Sequence, residues 1–115
     1  MIDMALIRRD PQTVRDALTA RNEDPALVDR VLEIDGRWRA LLAQVEELRA
    51  ERNRVSREIG RMKDPAQREP LIAQMRAVGD RIAELEDQVR TAEVERDGLL
   101  LRLPNIPHPS VPVGP

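Results

Sequence analysis

Two long segments, in which apolar residues recur at alternating spacings of three and four, constrain the fold more than any other feature. The residues that keep this spacing are Val31, Ile34, Trp38, Leu41, Val45, Leu48, Arg52, Val55, Ile59 and Met62, then Leu71, Met75, Val78, Ile82, Leu85, Val89, Ala92, Arg96, Leu99 and Leu103. Such a pattern over several heptads is typical of helices that pair in a coiled coil. Because only a short break separates the segments, we predict that the helices run antiparallel.

The predicted fold is all-α: a long antiparallel two-helix coiled-coil hairpin with short N-terminal helices packed at its root. We expect short helices within residues 3–22 and long helices over about 25–62 and 66–102. Asp10-Pro11, Asp24-Pro25 and Asp64-Pro65 each place a capping side chain before a proline that suits the first helical turn.

Three positions near helix ends or inside helices carry further expectations. Asn22 suits the left-handed conformation that ends many helices. Pro70 leaves open whether residues 65–70 form a helical turn or an irregular loop. Gly79 is predicted to allow a close approach of the two long helices, which would offset its low helix propensity.

The composition argues against several kinds of function. The sequence has no cysteine, and Trp38 is its only aromatic residue, so thiol chemistry and an aromatic base-stacking platform are excluded. His108 is the single histidine, and no second histidine or cysteine is present to share a metal ion or activate a nucleophile. No apolar run approaches the roughly 20 residues of a membrane span. We therefore predict no catalytic residue and no metal ligand in this chain, and a cytoplasmic location.

The charged residues are unevenly distributed along the chain. Residues 49–63 carry six basic side chains and two acidic ones, whereas residues 23–48 carry seven acidic and three basic ones. Residues 84–97 are also acidic, with six acidic and two basic side chains. In the predicted hairpin this gives a basic tip and an acidic root, so a polyanion would be bound at the tip.

Arg54, Arg57 and Arg61 lie outside the apolar seam, three and four residues apart, and so form one exposed stripe beside Asn53 and Ser56. Arginine presents a planar fork of donors that suits phosphate oxygens. The alternative interpretation is a solvated helix face with salt bridges to Glu58.

Some seam positions carry polar residues, for which we favour a structural role. Arg96 lies opposite Trp38 in the predicted register and could stack on its indole ring. Arg52 lies opposite Ile82 and needs an acidic neighbour such as Glu86. We interpret Trp38, Arg52 and Arg96 as structural seam residues, the arginines fixing the register at a cost in stability.

Three stretches of the chain resemble bacterial seryl-tRNA synthetases. Met1–Asp3 and Leu6–Pro11, followed by Val14, Arg15 and Leu18, are similar to the start of that family. Leu48–Gly60 resembles its signature on the outgoing arm helix, and Leu99–Gly114 resembles the junction with its catalytic domain. The departures are mild: Asp10 stands where the family often has Asn, and Asn22 where Gly is common.

The resemblance implies a tRNA-binding arm of a serine–tRNA ligase, covering residues 1–103. Residues 104–115 would be a proline-rich linker to a class II catalytic domain that is absent here. That domain would use ATP and Mg²⁺, and the parent enzyme would be a homodimer; this chain alone would be a monomer without cofactor or ligase activity.

The implied ligand is serine tRNA, gripped at its long variable arm and elbow. The residues we assign to RNA contact are Arg49, Asn53, Arg54, Arg57, Arg61, Lys63, Arg68 and Arg76. Because A-form RNA hides its base edges in a deep, narrow groove, we expect recognition by shape and phosphate. The alternative is a structural coiled-coil spacer or a protein-interaction hairpin that does not bind RNA.

Overall fold

A computed structural model describes residues 3–104 of the protein. They form four α-helices: α1 (Met4–Arg9), α2 (Pro11–Ala20), α3 (Ala26–Arg61) and α4 (Pro65–Leu100). This part of the chain contains no strand, so the all-α prediction is confirmed. Each end of the two long helices lies within two residues of the position expected from the sequence. Residues 105–115, which hold most of the expected linker, lie outside the described residues.

Each helix begins at an aspartate whose side chain accepts a hydrogen bond from the first turn. The donors are the backbone N–H groups of Ala5, Thr13, Ala26 and Ala66, at 2.9, 3.3, 2.9 and 3.0 Å from Asp3, Asp10, Asp24 and Asp64. Because the first turn of a helix has unpaired donors, each cap fixes where its helix starts. At Asp10 the Thr13 hydroxyl also donates, and these bonds hold the pKa of the Asp10 carboxyl below its usual range.

The described residues divide into two compact units. One, which we call the hairpin unit, is Trp38–Thr91; the other comprises residues 3–37 and 92–104. We call the second the four-helix unit, because it contains α1, α2, the start of α3 and the end of α4.

In the hairpin unit, α3 and α4 pack along the predicted seam. Every seam position in this unit is buried or half-buried, and the fully buried ones are Leu41, Val45, Val55, Met75, Ile82 and Leu85. Arg49 Nη2 lies 2.8 Å from Glu86 Oε1, which ties the outgoing helix to the returning one. Leu48 and Leu85 face each other in the predicted register, so this neighbouring ion pair agrees with it.

Three residues, 62–64, connect the two helices of the hairpin unit. Residues 65–70 are helical, because α4 starts at Pro65 and continues through Pro70. Pro70 has no N–H to donate to the carbonyl oxygen of Ala66, so the helix gives up one bond in its second turn. The Asp64 cap and the seam contacts of Leu71 and Met75 lie on either side of this defect.

The four-helix unit has its own apolar core. The short helices could not bury an apolar face alone, and here they pack on α3 and α4. The buried residues are Leu6, Ile7, Val14, Leu18, Val28, Val31, Ile34, Ala92, Leu99, Leu100 and Leu103. An ion pair of 2.6 Å between Arg15 and Asp29 joins α2 to α3 at the surface.

Asn22 ends α2 as the sequence predicted. Its φ is 59°, in the left-handed region. The N–H of Glu23 donates to the carbonyl of Leu18 at 2.8 Å, and the N–H of Asn22 donates to that of Thr19 at 3.1 Å. These two bonds form a Schellman motif, which satisfies carbonyls left over at the end of the helix.

A buried carboxylate joins α1, α3 and α4 in the four-helix unit. Asp35 is 2% exposed. Arg8 donates to both of its oxygens, from Nε at 2.8 Å and Nη2 at 2.7 Å, and Arg96 Nη1 donates at 3.0 Å. Hydrogen bonds from Arg8, and then from Arg96, hold the pKa of Asp35 below its usual range, although burial acts in the opposite direction. We call these three residues the Asp35 cluster.

Replacement of Asp35 is expected to destabilise the fold strongly at neutral pH. Asp35→Asn removes the buried carboxylate that Arg8 and Arg96 share, a kind of loss that costs about 3 kcal/mol or more. Urea unfolding at pH 7 measures the loss. Asp97→Asn is the matched control, because Asp97 also accepts from Arg96, at 3.2 Å, but is 47% exposed, and we expect a much smaller effect.

The stabilisation that Asp35 contributes is also expected to be lost in acid. Since its pKa in the folded chain lies below the unfolded value of about 3.9, the unfolded chain binds more protons in acid. The stabilisation is therefore complete above about pH 4 and is lost as the pH falls through the folded pKa. The unfolding free energies of wild type and Asp35→Asn should therefore converge once the pH falls below the folded pKa. A difference that stays constant with pH would contradict the role given to the Asp35 carboxylate.

The expectation for Gly79 is wrong. A Cβ atom built on Gly79 would meet no atom within 4 Å, so the glycine does not serve a close approach of α3 and α4. Gly79 lies beside the seam, whose nearest positions, Val78 and Ile82, are half-buried and buried.

Gly79→Ala should therefore stabilise the protein. The methyl group has room, and alanine favours a helix interior over glycine by about 1 kcal/mol. Thermal or urea unfolding measures the gain, and Ala77→Gly, on an exposed position of the same turn, should lose a similar amount. A destabilised Gly79→Ala variant would show that the helices do approach each other at this point.

Candidate nucleic-acid interface

All eight residues that the sequence assigned to RNA contact lie in the hairpin unit and are exposed. Four of them are on α3 at Arg49, Asn53, Arg54 and Arg57, and Arg61 is its last residue. Lys63 lies in the connection, and Arg68 and Arg76 are on α4. The structure thus places these side chains on the surface of one unit, around its connection.

The position of the seam explains the exposure of the arginines on α3. The helix turns its seam positions toward α4: Val55 is only 7% exposed, and Arg52 and Ile59 are half-buried. Arg54, Arg57 and Arg61 share another face, because residues three and four apart lie above one another on a helix. This arrangement is the exposed stripe predicted from the spacing.

Some of these cations are already neutralised by a carboxylate. Arg49 pairs with Glu86 at 2.8 Å, and Arg54 Nη1 lies 3.3 Å from Glu58 Oε1. Both arginines remain about half or more exposed. The salt bridge to Glu58 that the alternative interpretation required is therefore present, at Arg54.

Other cations of the hairpin unit have no such partner. Arg57 Nε donates to the backbone oxygen of Asn53 at 3.3 Å, a contact that leaves its charge uncompensated. Among residues 3–104, no hydrogen bond or ion pair involves the side chains of Arg61, Lys63, Arg68 or Arg76. We call Arg57 and these four residues the unpaired cations. Their N–H groups are available to an anionic ligand.

A family model described as the seryl-tRNA synthetase N-terminal domain matches residues 1–107. The chain belongs to this family.

Individual relatives also support the assignment of the domain to this family. The serine–tRNA ligase of Roseiflexus sp. (strain RS-1) is 52% identical over 115 residues, which are 100% of this chain and 27% of that protein. That of Thermomicrobium roseum is 47% identical and covers 100% of this chain and 26% of that protein. The domain therefore spans little more than a quarter of the length of these relatives.

Solved structures of the family share the fold of the domain. The crystal structure of seryl-tRNA synthetase from Pyrococcus horikoshii complexed with ATP matches 99% of this chain and 26% of its own, with a TM-score of 0.86 and 43% identity. The cytoplasmic serine–tRNA ligase of Naegleria fowleri in complex with AMP matches 99% of this chain and 25% of its own, with a TM-score of 0.75 and 28% identity.

The polar seam residues of the domain have different partners. Glu86 pairs with Arg49 rather than with Arg52, which is half-buried at the seam. Arg96 is 9% exposed and donates to Asp35 and, at 3.2 Å from Nε, to Asp97. Trp38 is half-buried. The role of these residues in fixing the register stays a prediction.

Sequence reasoning missed two residues of the domain. Asp35 escaped notice because it flanks the seam at a position where a solvated acid is ordinary. Ile72 is an apolar residue beside the seam position Leu71, and it is 38% exposed. It lines a shallow hollow on α4 together with Glu69, Ala73 and Arg76.

The described part of the domain shows neither a metal-ligand cluster nor a helix that could span a membrane. Residues 3–104 bring together no three histidine, cysteine or acidic side chains that could hold a metal ion. No helix among them combines the length and apolar character that a bilayer crossing requires.

Proposed function

We propose that this domain is the tRNA-binding arm of a serine–tRNA ligase and that its hairpin unit grips the long variable arm and elbow of serine tRNA. The unpaired cations carry the proposal, since they surround the connection of the hairpin in a domain of the seryl-tRNA synthetase family. The arm would position the tRNA for aminoacylation by a class II catalytic core outside this chain.

The contact that we propose is made to phosphate groups. Arginine can donate two parallel hydrogen bonds to a phosphate, and four of the five unpaired cations are arginines. A helix face without aromatic side chains offers no aromatic platform on which bases could stack, and the deep groove of A-form RNA does not admit side chains to the base edges. Recognition would then use the shape of the RNA and contacts to its backbone, and these contacts fix the register and orientation of the RNA.

The chemistry would lie elsewhere in the ligase. We assign ATP, Mg²⁺ and the activation of serine to the remainder of the polypeptide, because the described residues group no metal ligands and the isolated glycines Gly60 and Gly79 form no phosphate-binding loop. A homodimeric ligase and a cytoplasmic location belong to the same proposal.

A titration of the chain with serine tRNA, at two salt concentrations, tests the proposal. The matched RNA is the same tRNA without its long variable arm. We expect tighter binding to the intact tRNA and a steep loss of affinity with salt, since each neutralised phosphate releases counterions. Equal binding to both RNAs would reduce the hairpin to a nonspecific basic rod, and no binding at low salt would favour the structural-spacer alternative.

Removal of an unpaired cation should make the affinity for tRNA less dependent on salt concentration. Arg61→Gln, or Arg76→Gln, removes one phosphate contact, so the slope of log K against log salt should fall by about 0.7 to 0.9. Arg49→Gln is the matched control, because Arg49 is already paired with Glu86, and we expect a smaller change.

The same variants locate the effect within the ligase. Serine activation, measured by pyrophosphate exchange without tRNA, should be unchanged in all three. A parallel loss of activation and tRNA binding would contradict the assignment of the hairpin unit to RNA alone. An equal change of slope for Arg49→Gln would show that pairing with a carboxylate does not separate the cations.

A further inference from the structure

The end of α4 in the four-helix unit is apolar on two opposite faces. Leu99 and Leu103 belong to the inner face and are 8% and 5% exposed. On the opposite side, Val94 and Leu101 are 73% and 72% exposed, which makes them the most exposed large apolar residues of the described chain. Charged residues normally occupy the solvated face of a helix, so the exposed aliphatic pair needs an explanation.

Val94, Gly98 and Leu101 form one continuous surface, which we call the outer apolar face. Their spacing of four and three residues aligns them on one side of the helix. Leu101 still follows the helical course, since its N–H donates to the carbonyl of Asp97 at 3.1 Å. A Cβ atom on Gly98 would meet nothing within 4 Å, so the backbone between the two aliphatic side chains is bare.

The same helix positions are acidic earlier in α4. Two residues at heptad spacing before Val94, namely Asp87 and Asp80, are exposed carboxylates. Charged residues are the rule on the solvated face of a long helix. The change from aspartate to Val94 and Leu101 coincides with the last two turns of α4, where the helix approaches its end at Leu100.

We propose that the outer apolar face docks against the polypeptide that follows this domain in the ligase. This inference rests on the proposed function only in taking the chain as part of a longer ligase. The domain corresponds to 27% of the Roseiflexus relative, so most of such a polypeptide lies outside it. Leu101 is three residues before Pro104, the last described residue, so the outer apolar face is close along the sequence to the point where the following polypeptide is joined.

Two other occupants fit the face less well. RNA would be repelled, because residues 84–97 carry six acidic side chains against two basic ones. A second copy of the chain would need an interface of at least about 1,000 Å² in total, which two side chains and a glycine do not supply. A tethered domain needs less contact area, because a short linker gives it a high effective concentration.

Hydroxyl-radical footprinting of the full-length ligase, read by mass spectrometry, tests the proposal without any RNA. Ile72 is the internal reference, because it is an exposed aliphatic residue in the other unit, at 38%. The oxidation rate of each residue is divided by the intrinsic reactivity of its residue type, and if the outer apolar face were free, Val94 and Leu101 would then be oxidised faster than Ile72. If Leu101 becomes as buried as Leu99 is, its oxidation should fall about ninefold from the rate that its 72% exposure gives.

The outcomes separate this inference from the tRNA proposal. Slower oxidation of Val94 and Leu101 than of Ile72 supports docking, and the reverse order overturns it, whatever the ligase does with tRNA. Protection that disappears on dilution would assign the face to a second copy and would also overturn it. As a second measurement, Leu101→Ser should lower the Tm of the ligase more than Ile72→Ser does; equal shifts would count against docking.

Discussion

The four-helix unit depends on one buried carboxylate. Asp35 accepts three hydrogen bonds from two guanidinium groups, and a charge with 2% exposure is tolerable only with such pairing. Arg8 and Arg96 come from opposite ends of the chain, so their meeting at Asp35 fixes α1 and α4 in one register on α3. Apolar contacts alone would permit small shifts of these helices, because aliphatic side chains repack with modest cost. We therefore expect the cluster to specify this one arrangement of the helices, whatever its net contribution to stability.

In the hairpin unit, packing and the proposed recognition of RNA use different faces of the same helices. The seam takes the apolar residues, which leaves the outer faces free for charge. The cations on these outer faces are of two kinds. Arg49 and Arg54 are neutralised by Glu86 and Glu58, whereas the unpaired cations can still bind an anion. A net charge of −2 for the whole chain conceals this division, since acidic residues concentrate outside 49–63. Local charge, rather than the chain average, governs which ligand this unit can attract.

The sequence predicted what depends on local pattern. Heptad spacing located the seam, Asp-Pro pairs located three helix starts, and Asn22 located a helix end, because each signal involves neighbours along the chain. Pro70 and Gly79 were harder, since the surrounding packing decides whether a helix tolerates a proline or exploits a glycine. The partners of Asp35 and Glu86 lie 27 to 61 residues away, beyond any local pattern. For the same reason the exposure of the eight candidate RNA residues was predictable, but their division into paired and unpaired cations was not.

If the hairpin unit binds tRNA as proposed, it has to be rigid, because it has no aromatic platform for bases. Trp38, the only aromatic residue of the sequence, is half-buried, so stacking on bases is not available to it. Phosphate contacts carry no base information, and a flexible basic segment would accept almost any RNA. Discrimination then requires that the cations stand at fixed positions, which the packed seam between α3 and α4 within the hairpin unit provides. On this view the seam contributes to specificity although none of its buried aliphatic residues would touch the tRNA.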